Sequence, residues 1–194
     1  NACPVGGAPV AKKIGGIMGQ TAEAVERKVA FVKCKGTCDV THNQGNYIGI
    51  RDCRSAVLAG INVTDCGYGC LGFGSCATVC PNDAIRVENG VAMVNRRKCV
   101  GCGLCARACP RGLIEMVPES RRVSVQCSNK DRGPMVKKVC SAGCIGCMIC
   151  TKQCEYDAIH VTANLAHVNY DNCIQCGKCV EKCPAKVITP PPAA

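Results

Sequence analysis

Residues 99–110 read CVGCGLCARACP and place Cys99, Cys102, Cys105, Cys109 and Pro110 in the pattern C-x2-C-x2-C-x3-C-P. A loop with a cysteine at every third residue turns its sulfur atoms towards one centre. This spacing is typical of loops that hold a [4Fe–4S] cluster through cysteine thiolates. We therefore predict an iron–sulfur protein with a small α+β fold built around such loops.

The cysteine pattern occurs twice along the chain, with a period of 74 residues. Nine cysteines recur without a gap, and those of the first copy are Cys53, Cys66, Cys70, Cys76, Cys80, Cys99, Cys102, Cys105 and Cys109. Their counterparts in the second copy are Cys127, Cys140, Cys144, Cys150, Cys154, Cys173, Cys176, Cys179 and Cys183. Two tandem copies of one domain explain this repeat best.

Each copy resembles a bacterial two-cluster ferredoxin. In that fold the first three cysteines of a run hold one cluster, and the fourth ligates the other cluster. In the first copy the resemblance implies one cluster on Cys99, Cys102, Cys105 and Cys80. In the second copy it implies one cluster on Cys144, Cys147, Cys150 and Cys183, and another on Cys173, Cys176, Cys179 and Cys154.

One loop of the first copy departs from this pattern, because Phe73 stands where the second copy has Cys147. We expect Cys66, four residues before Cys70, to supply the missing thiolate. That cluster would then be held by Cys66, Cys70, Cys76 and Cys109. The alternative is a three-iron cluster that has lost one ligand.

These assignments leave Cys3 and five other cysteines, which are Cys34, Cys38, Cys53, Cys127 and Cys140. Idle thiols beside redox centres are an oxidation liability. We therefore predict a fifth cluster on Cys34, Cys38 and Cys53, with Cys127 or Cys140 as the fourth ligand. Cys66 could serve here instead, which would leave the Phe73 loop short of a ligand. The other possibility is that these thiols are buried apolar fillers.

Short alternating apolar segments between the cysteine loops predict strands at 85–87, 91–94, 159–161 and 165–168, with a tight turn at Asn89-Gly90. A further strand is expected at 29–32, a helix at 10–18, and a second helix capped by Thr21. The predicted fold class is α+β, with two tandem two-cluster domains and a small N-terminal cysteine-containing segment. The expected boundaries are 1–28, 29–62, 63–126, 127–189 and a Pro-rich tail at 190–194.

Composition excludes several other classes of protein. A disulfide scaffold needs an oxidising compartment, and zinc sites usually pair two C-x2-C motifs across a longer loop, so neither fits the cysteine runs. The net charge of +10 would be offset by thiolate-bound clusters, and the scarcity of aromatic residues argues against nucleic-acid binding.

Gly67-x-Gly69-x-x-Gly72 contains Cys70 and follows no clear strand, so we expect no bound NAD or flavin. No apolar run reaches the ~18 residues that span a bilayer, so we expect a soluble piece.

Beyond the ferredoxin loops, the chain resembles the B-subunit family of the Rnf complex. The matching segments outside the cysteine runs include Cys3-Pro4-Val5-Gly6-Gly7, Val32-Lys33-Cys34-Lys35-Gly36-Thr37-Cys38 and Gly49-Ile50-Arg51-Asp52-Cys53-Arg54. The resemblance implies an electron-transfer subunit of a membrane-bound, ion-translocating ferredoxin:NAD oxidoreductase. Its partners would be reduced ferredoxin and the other subunits, including membrane subunits, at the cytoplasmic face of the bacterial membrane.

The same resemblance implies that Cys3 is the last ligand of a truncated N-terminal cluster domain that preceded Asn1. With the five clusters predicted above, the chain would then carry one incomplete cluster site at Cys3. We expect no substrate chemistry on this chain alone. The alternative function is a polyferredoxin module of a soluble oxidoreductase or hydrogenase.

Overall fold

Three two-stranded antiparallel sheets organise the part of the chain that the computed structural model describes, which is residues 6–21, 26–42 and 47–190. The strands are β1 (Lys28–Val32), β2 (Ile85–Glu88), β3 (Val91–Val94), β4 (Ile114–Pro118), β5 (Ile159–Thr162) and β6 (Leu165–Val168). The helices are α1 (Gly7–Met18), α2 (Cys53–Leu58), α3 (Ser75–Thr78), α4 (Leu104–Ala108), α5 (Gly133–Val139), α6 (Ile149–Lys152) and α7 (Lys178–Glu181). Mixed helix and strand content confirms the α+β class.

The strands predicted from apolar alternation are confirmed. β2 pairs with β3, and β5 pairs with β6 in the equivalent register 74 residues later. Asn89 and Gly90 both have positive φ in the first turn, as do Ala163 and Asn164 in the second. Two successive left-handed residues match the right-handed twist of the flanking strands, so each hairpin closes with two residues.

Strand β1 pairs with β4 along its whole length, from Lys28 opposite Pro118 to Val32 opposite Ile114. The second half of the chain has a shorter version of this pair, in which Val125 bridges Ile188. We therefore call residues 26–119 the first unit and residues 120–190 the second unit. Each unit so defined includes a first strand that pairs with its last strand.

The first cysteine loop of each unit packs against the turn of its own hairpin. Gly72 has φ +73°, and a Cβ at this position would lie 2.7 Å from the carbonyl oxygen of Gly90. Gly146 makes the same close approach to the carbonyl oxygen of Asn164. Only glycine combines the positive φ with this contact, so both loops sit directly on the hairpin that covers them.

The two cores consist mainly of small aliphatic residues and cysteines, with Phe31 as the one buried aromatic residue of the described part of the chain. Val29, Val91 and Val117 are fully buried in the first unit, and Val123 and Ile159 are fully buried in the second. Buried cysteines belong to both apolar clusters, which are centred on the spaces between the ligand loops.

The units are joined by backbone and side-chain contacts. The Ser141 N–H donates to the carbonyl of Val40 at 2.9 Å, and the Ser128 hydroxyl donates to the carbonyl of Lys33 at 3.0 Å. Tyr170 of the second unit packs on the core of the first. These contacts bring the Cys34 segment of one unit beside the Cys140 segment of the other.

Helix α1 begins within three residues of the predicted start and ends at Met18, where Gly19 adopts the left-handed conformation that commonly terminates helices. The second predicted helix, after Thr21, falls largely outside the described residues, as does Cys3. Among the helices that the structure describes, none is long and apolar enough to cross a membrane.

Candidate metal centres

Five cavities in the described part of the chain are lined by cysteine thiols, and each contains a set of four. The outer cavities are lined by Cys80, Cys99, Cys102 and Cys105 in the first unit and by Cys154, Cys173, Cys176 and Cys179 in the second. The inner cavities are lined by Cys53, Cys70, Cys76 and Cys109 and by Cys144, Cys147, Cys150 and Cys183. The central cavity is lined by Cys34, Cys66, Cys127 and Cys140, and also by Cys70, which lines the inner cavity of the first unit as well.

Each outer cavity contains the four cysteines that the resemblance to bacterial ferredoxins assigns to one cluster. In each unit, an arginine shortly before the first strand donates a hydrogen bond to the backbone of the second cysteine loop. The Arg27 guanidinium donates to the carbonyl of Cys99, and that of Arg121 donates to the carbonyl of Cys173, both at 2.5 Å. Because both arginines make the same contact, the two units position their second cysteine loop in the same way.

The inner cavity of the first unit differs from the expectation, because Cys53 lines it in place of Cys66. Cys53 is the first residue of α2, whose cap is Asp52. The Asp52 carboxylate accepts the N–H of Ser55 at 2.8 Å and the hydroxyl of Ser75 at 2.7 Å. The Cys53 N–H in turn donates to Ser75 Oγ at 2.8 Å. This network ties the start of α2 to the loop that carries Cys76.

Phe73 takes the position of Cys147 in the sequence repeat, but unlike Cys147 it does not line the inner cavity of its unit. Its ring packs against Tyr47 with the ring centroids 4.9 Å apart, beside Cys53 and Leu71. The fourth cysteine of this cavity comes instead from the start of helix α2.

The central cavity also differs from the expectation, which placed Cys38 and Cys53 in the fifth site. Cys66 lies here, as the alternative assignment allowed, and both Cys127 and Cys140 are present rather than one of them. Cys38 is exposed, and its N–H donates to the carbonyl of Asn89 at the β2–β3 turn. It lines none of the five cavities, because its backbone follows the hairpin away from the thiols.

Amide groups point at the sulfur atoms of the central cavity. The N–H groups of Gly36 and Cys70 both donate to Cys34 Sγ at 3.4 Å. In the second unit the N–H groups of Asn129 and Cys144 donate to Cys127 Sγ at 3.5 and 3.3 Å. Such hydrogen bonds stabilise thiolates and tune the potentials of metal–thiolate centres.

These bonds also connect neighbouring cavities. Cys70 and Cys144 line the two inner cavities, yet their backbone N–H groups donate to the thiols of the central one. The central cavity therefore lies between the two inner cavities, with one peptide group separating it from each.

Burial disfavours the thiolate form of several of these cysteines and raises their pKa. Burial raises the pKa of Cys34 and of Cys76 to about 12, and the pKa of Cys127 and of Cys179 to about 11. Neighbouring cysteines raise each pKa further. Four thiolates in one such cavity need cationic metal at its centre, and iron in a [4Fe–4S] core supplies that charge.

The spread of the thiols fits a multinuclear group. All 21 described cysteines are free thiols. Among residues 6–21, 26–42 and 47–190, no three His, Cys, Asp or Glu side chains converge closely enough to hold one metal ion. The thiols instead surround cavities of about 340 to 420 Å³, mouths included. A cuboidal cluster with one thiolate on each iron corner requires this arrangement.

A signal in the sequence could have identified the central set. Cys34 follows Val32-Lys33 at the end of β1, and Cys127 follows Val125-Gln126 at the end of the strand that pairs in the same way. Cys34 is therefore the counterpart of Cys127. The 74-residue repeat had matched Cys127 with Cys53, which instead belongs to an insertion in the first unit.

Family models match three parts of the chain. A 4Fe-4S dicluster domain matches residues 143–188, a 4Fe-4S binding domain matches residues 92–115, and another 4Fe-4S binding domain matches residues 70–84. These matches fall on the cysteine loops of both units, so several ferredoxin-type domains are present.

Three relatives are similar to nearly the whole chain. The B subunit of the Na(+)-translocating ferredoxin:NAD(+) oxidoreductase complex of Acetobacterium woodii is 45% identical over 97% of this chain and 57% of its own length. The B subunit of the ion-translocating oxidoreductase complex of Methanosarcina acetivorans is 41% identical over 97% of this chain and 72% of its own length. The B subunit of the proton-translocating ferredoxin:NAD(+) oxidoreductase complex of Clostridium ljungdahlii is 42% identical over 97% of this chain and 67% of its own length. The chain thus spans between 57% and 72% of these relatives.

Proposed function

The chain belongs to the B-subunit family of the Rnf ion-translocating ferredoxin:NAD oxidoreductase complexes, and from this we propose that it relays single electrons through five [4Fe–4S] clusters. The observation that carries the proposal is the set of five cavities, four of them lined by four cysteines and the central one by five, of which Cys70 is shared with an inner cavity. When bound, such a cluster accepts and releases one electron at a time.

Each unit would be a two-cluster ferredoxin domain. In the first unit the ligands are Cys80, Cys99, Cys102 and Cys105 for the outer cluster and Cys53, Cys70, Cys76 and Cys109 for the inner cluster. In the second unit they are Cys154, Cys173, Cys176 and Cys179 for the outer cluster and Cys144, Cys147, Cys150 and Cys183 for the inner cluster. The fourth cysteine of each run crosses to the other cavity of its unit, as in bacterial ferredoxins.

The fifth cluster would be held jointly by the two units, with Cys34 and Cys66 from the first and Cys127 and Cys140 from the second. Covalent bonds to four separate segments would lock the units into one body. The position between the inner cavities gives the order outer, inner, central, inner, outer for the electron path.

The residues around the thiols have two tasks. Small aliphatic side chains such as Ala92, Leu113, Val161 and Val187 line the inner cavities and exclude water from them. Amide N–H groups such as those of Ala84 and Ala158, which donate to Cys80 Sγ and Cys154 Sγ at 3.3 Å, stabilise the negative charge on sulfur.

The partners in this proposal are reduced ferredoxin as the electron donor and other subunits of the complex as acceptors, including those that translocate ions. We infer a location at the cytoplasmic face of the bacterial membrane, where the donor is available. In this proposal another subunit of the complex reduces NAD.

Metal analysis and an anaerobic mixing experiment test the proposal. The reconstituted chain should contain about twenty irons and as many acid-labile sulfides, whereas about sixteen would eliminate the central cluster. Reduced ferredoxin should bleach the cluster absorbance at about 400 nm. Tight binding of NAD by this chain, or no bleaching by reduced ferredoxin, would contradict the proposed role.

A further inference from the structure

The two inner cavities share three equivalent cysteines, and besides the source of the fourth they differ in one charged residue. In each unit the fourth cysteine of the second run is followed by a proline and then by a residue that lines the inner cavity. That residue is Arg111 in the first unit and Ala185 in the second, 74 positions later. Within the described residues, no charged side chain lines the inner cavity of the second unit.

Arg111 lies in the wall between two thiol-lined cavities. Its half-buried side chain lines the inner cavity of the first unit. Its guanidinium donates to the carbonyl of Gly69 at 2.8 Å and to that of Cys66 at 3.4 Å, and both of these residues line the central cavity. A third hydrogen bond, to Asn62 Oδ1, holds the other end of the guanidinium.

The carboxylate of Asp52, which caps the helix beside this site, does not offset Arg111 within the cavity. Asp52 is absent from the lining, and its oxygens accept hydrogen bonds from Ser55 and Ser75. An arginine guanidinium is a permanent cation in proteins. The inner site of the first unit therefore has a fixed positive charge that the inner site of the second unit lacks.

We propose that Arg111 raises the reduction potential of the inner site of the first unit above that of its counterpart in the second, an inference that rests on the proposed function. An added electron makes a thiolate-bound site more negative, so a nearby fixed cation favours the reduced form. The interaction is strong here because the charge is partly removed from water.

This difference gives the path a direction. Each transfer moves one electron from a reduced site to an oxidised site and makes or breaks no covalent bond. A low-potential one-electron donor, such as reduced ferredoxin, would deliver to the second unit. The electron would then cross the central site towards the first unit, where the positive charge stabilises it.

An EPR-monitored redox titration of the full chain tests the proposal with reciprocal variants. Arg111→Ala gives the first unit the residue of the second, and Ala185→Arg gives the second unit the residue of the first. Arg111→Lys keeps the charge with a different shape. Arg107→Ala removes an exposed arginine of α4 that lines neither inner cavity, and it serves as the matched control.

Arg111→Ala should lower one midpoint potential by about 59 mV or more, which corresponds to a tenfold change for one electron. Ala185→Arg should raise another midpoint potential, and Arg111→Lys should stay close to the original protein. The control should change no potential. Unchanged potentials in both Arg111→Ala and Ala185→Arg, with iron content retained, would overturn the proposal.

If Arg111→Ala loses iron, the upward shift in Ala185→Arg decides the question alone. Iron content of the unmodified chain tests the proposed function separately. A chain with about twenty irons and no shift in these variants would retain the function and refute the role of Arg111.

Discussion

Cys34 and Cys127 hold equivalent positions in the two units, although the sequence repeat does not pair them. Each follows the first strand of its unit, and each Sγ accepts the N–H of the first cysteine of the next loop, Cys70 or Cys144. Cys66 and Cys140 complete the set. The central cavity is therefore built from matching parts of both units, which explains why it lies between them.

The first prediction concerns the thiol from the insertion. Cys53→Ala should lose between about one and about four irons per chain, because Cys53 is the fourth thiol of an inner cavity. Cys38→Ala is the matched control, since it removes an exposed thiol from the same insertion. Metal analysis and EPR of both variants provide the measurement. Iron loss in Cys38→Ala with full retention in Cys53→Ala would reverse the assignment.

A second prediction uses the slot occupied by Phe73. Replacing Phe73 by cysteine in the Cys53→Ala background restores the loop pattern of the second unit, in which Cys147 holds this position. The double variant should therefore recover the iron that Cys53→Ala loses. The iron content of the two variants, reconstituted in parallel, is the measurement. No recovery would mean that Phe73 does not occupy the ligand position.

The third prediction tests whether two distant cysteines serve one site. Cys66→Ala and Cys140→Ala should each lose about four irons, and the double variant should lose no more than either single variant. The reason is that both thiols line the central cavity. Losses that add in the double variant would show that the two thiols belong to different clusters.

Removal of iron should also remove the cooperative unfolding transition. The largest fully buried side chains of the described residues are aliphatic, with Ile159 and several valines among them, so packing alone supplies few large apolar contacts. Metal binding then contributes directly to folding. Thermal melting followed by circular dichroism, before and after anaerobic chelation, provides the comparison. An unchanged transition in the chelated chain would show that side-chain packing is sufficient.

The last prediction concerns the contact between a ligand loop and its hairpin. Gly72 and Gly103 have similar φ angles of +73° and +75°, but only a Cβ at Gly72 would meet the backbone, whereas nothing lies within 4 Å of one at Gly103. Gly103→Ala should cost about 1 to 2 kcal/mol for the left-handed conformation alone. Gly72→Ala should lower the thermal midpoint further. Equal thermal midpoints for the two variants would indicate that the hairpin turn can shift without loss of stability.

The sequence by itself determined the features that depend on short-range spacing. A C-x2-C-x2-C run turns its sulfur atoms inward whatever surrounds it, so the outer sets could be grouped from the resemblance to ferredoxins. Alternating apolar residues with Asn89-Gly90 between them determined the first hairpin, because two left-handed residues are needed there. The repeated cysteine spacing likewise predicted two units.

Only the tertiary structure decided which of Cys53 and Cys66 lines which cavity. The segment between Cys34 and Cys66 has 31 residues, whereas that between Cys127 and Cys140 has 12. The longer segment contains α2, which begins at Cys53. The contact of Asp52 with Ser75 holds this cysteine beside a neighbouring loop. The spacing of cysteines along the chain does not indicate in which direction a long connecting segment runs. The pairing across the central cavity likewise depends on how two separately formed units pack together.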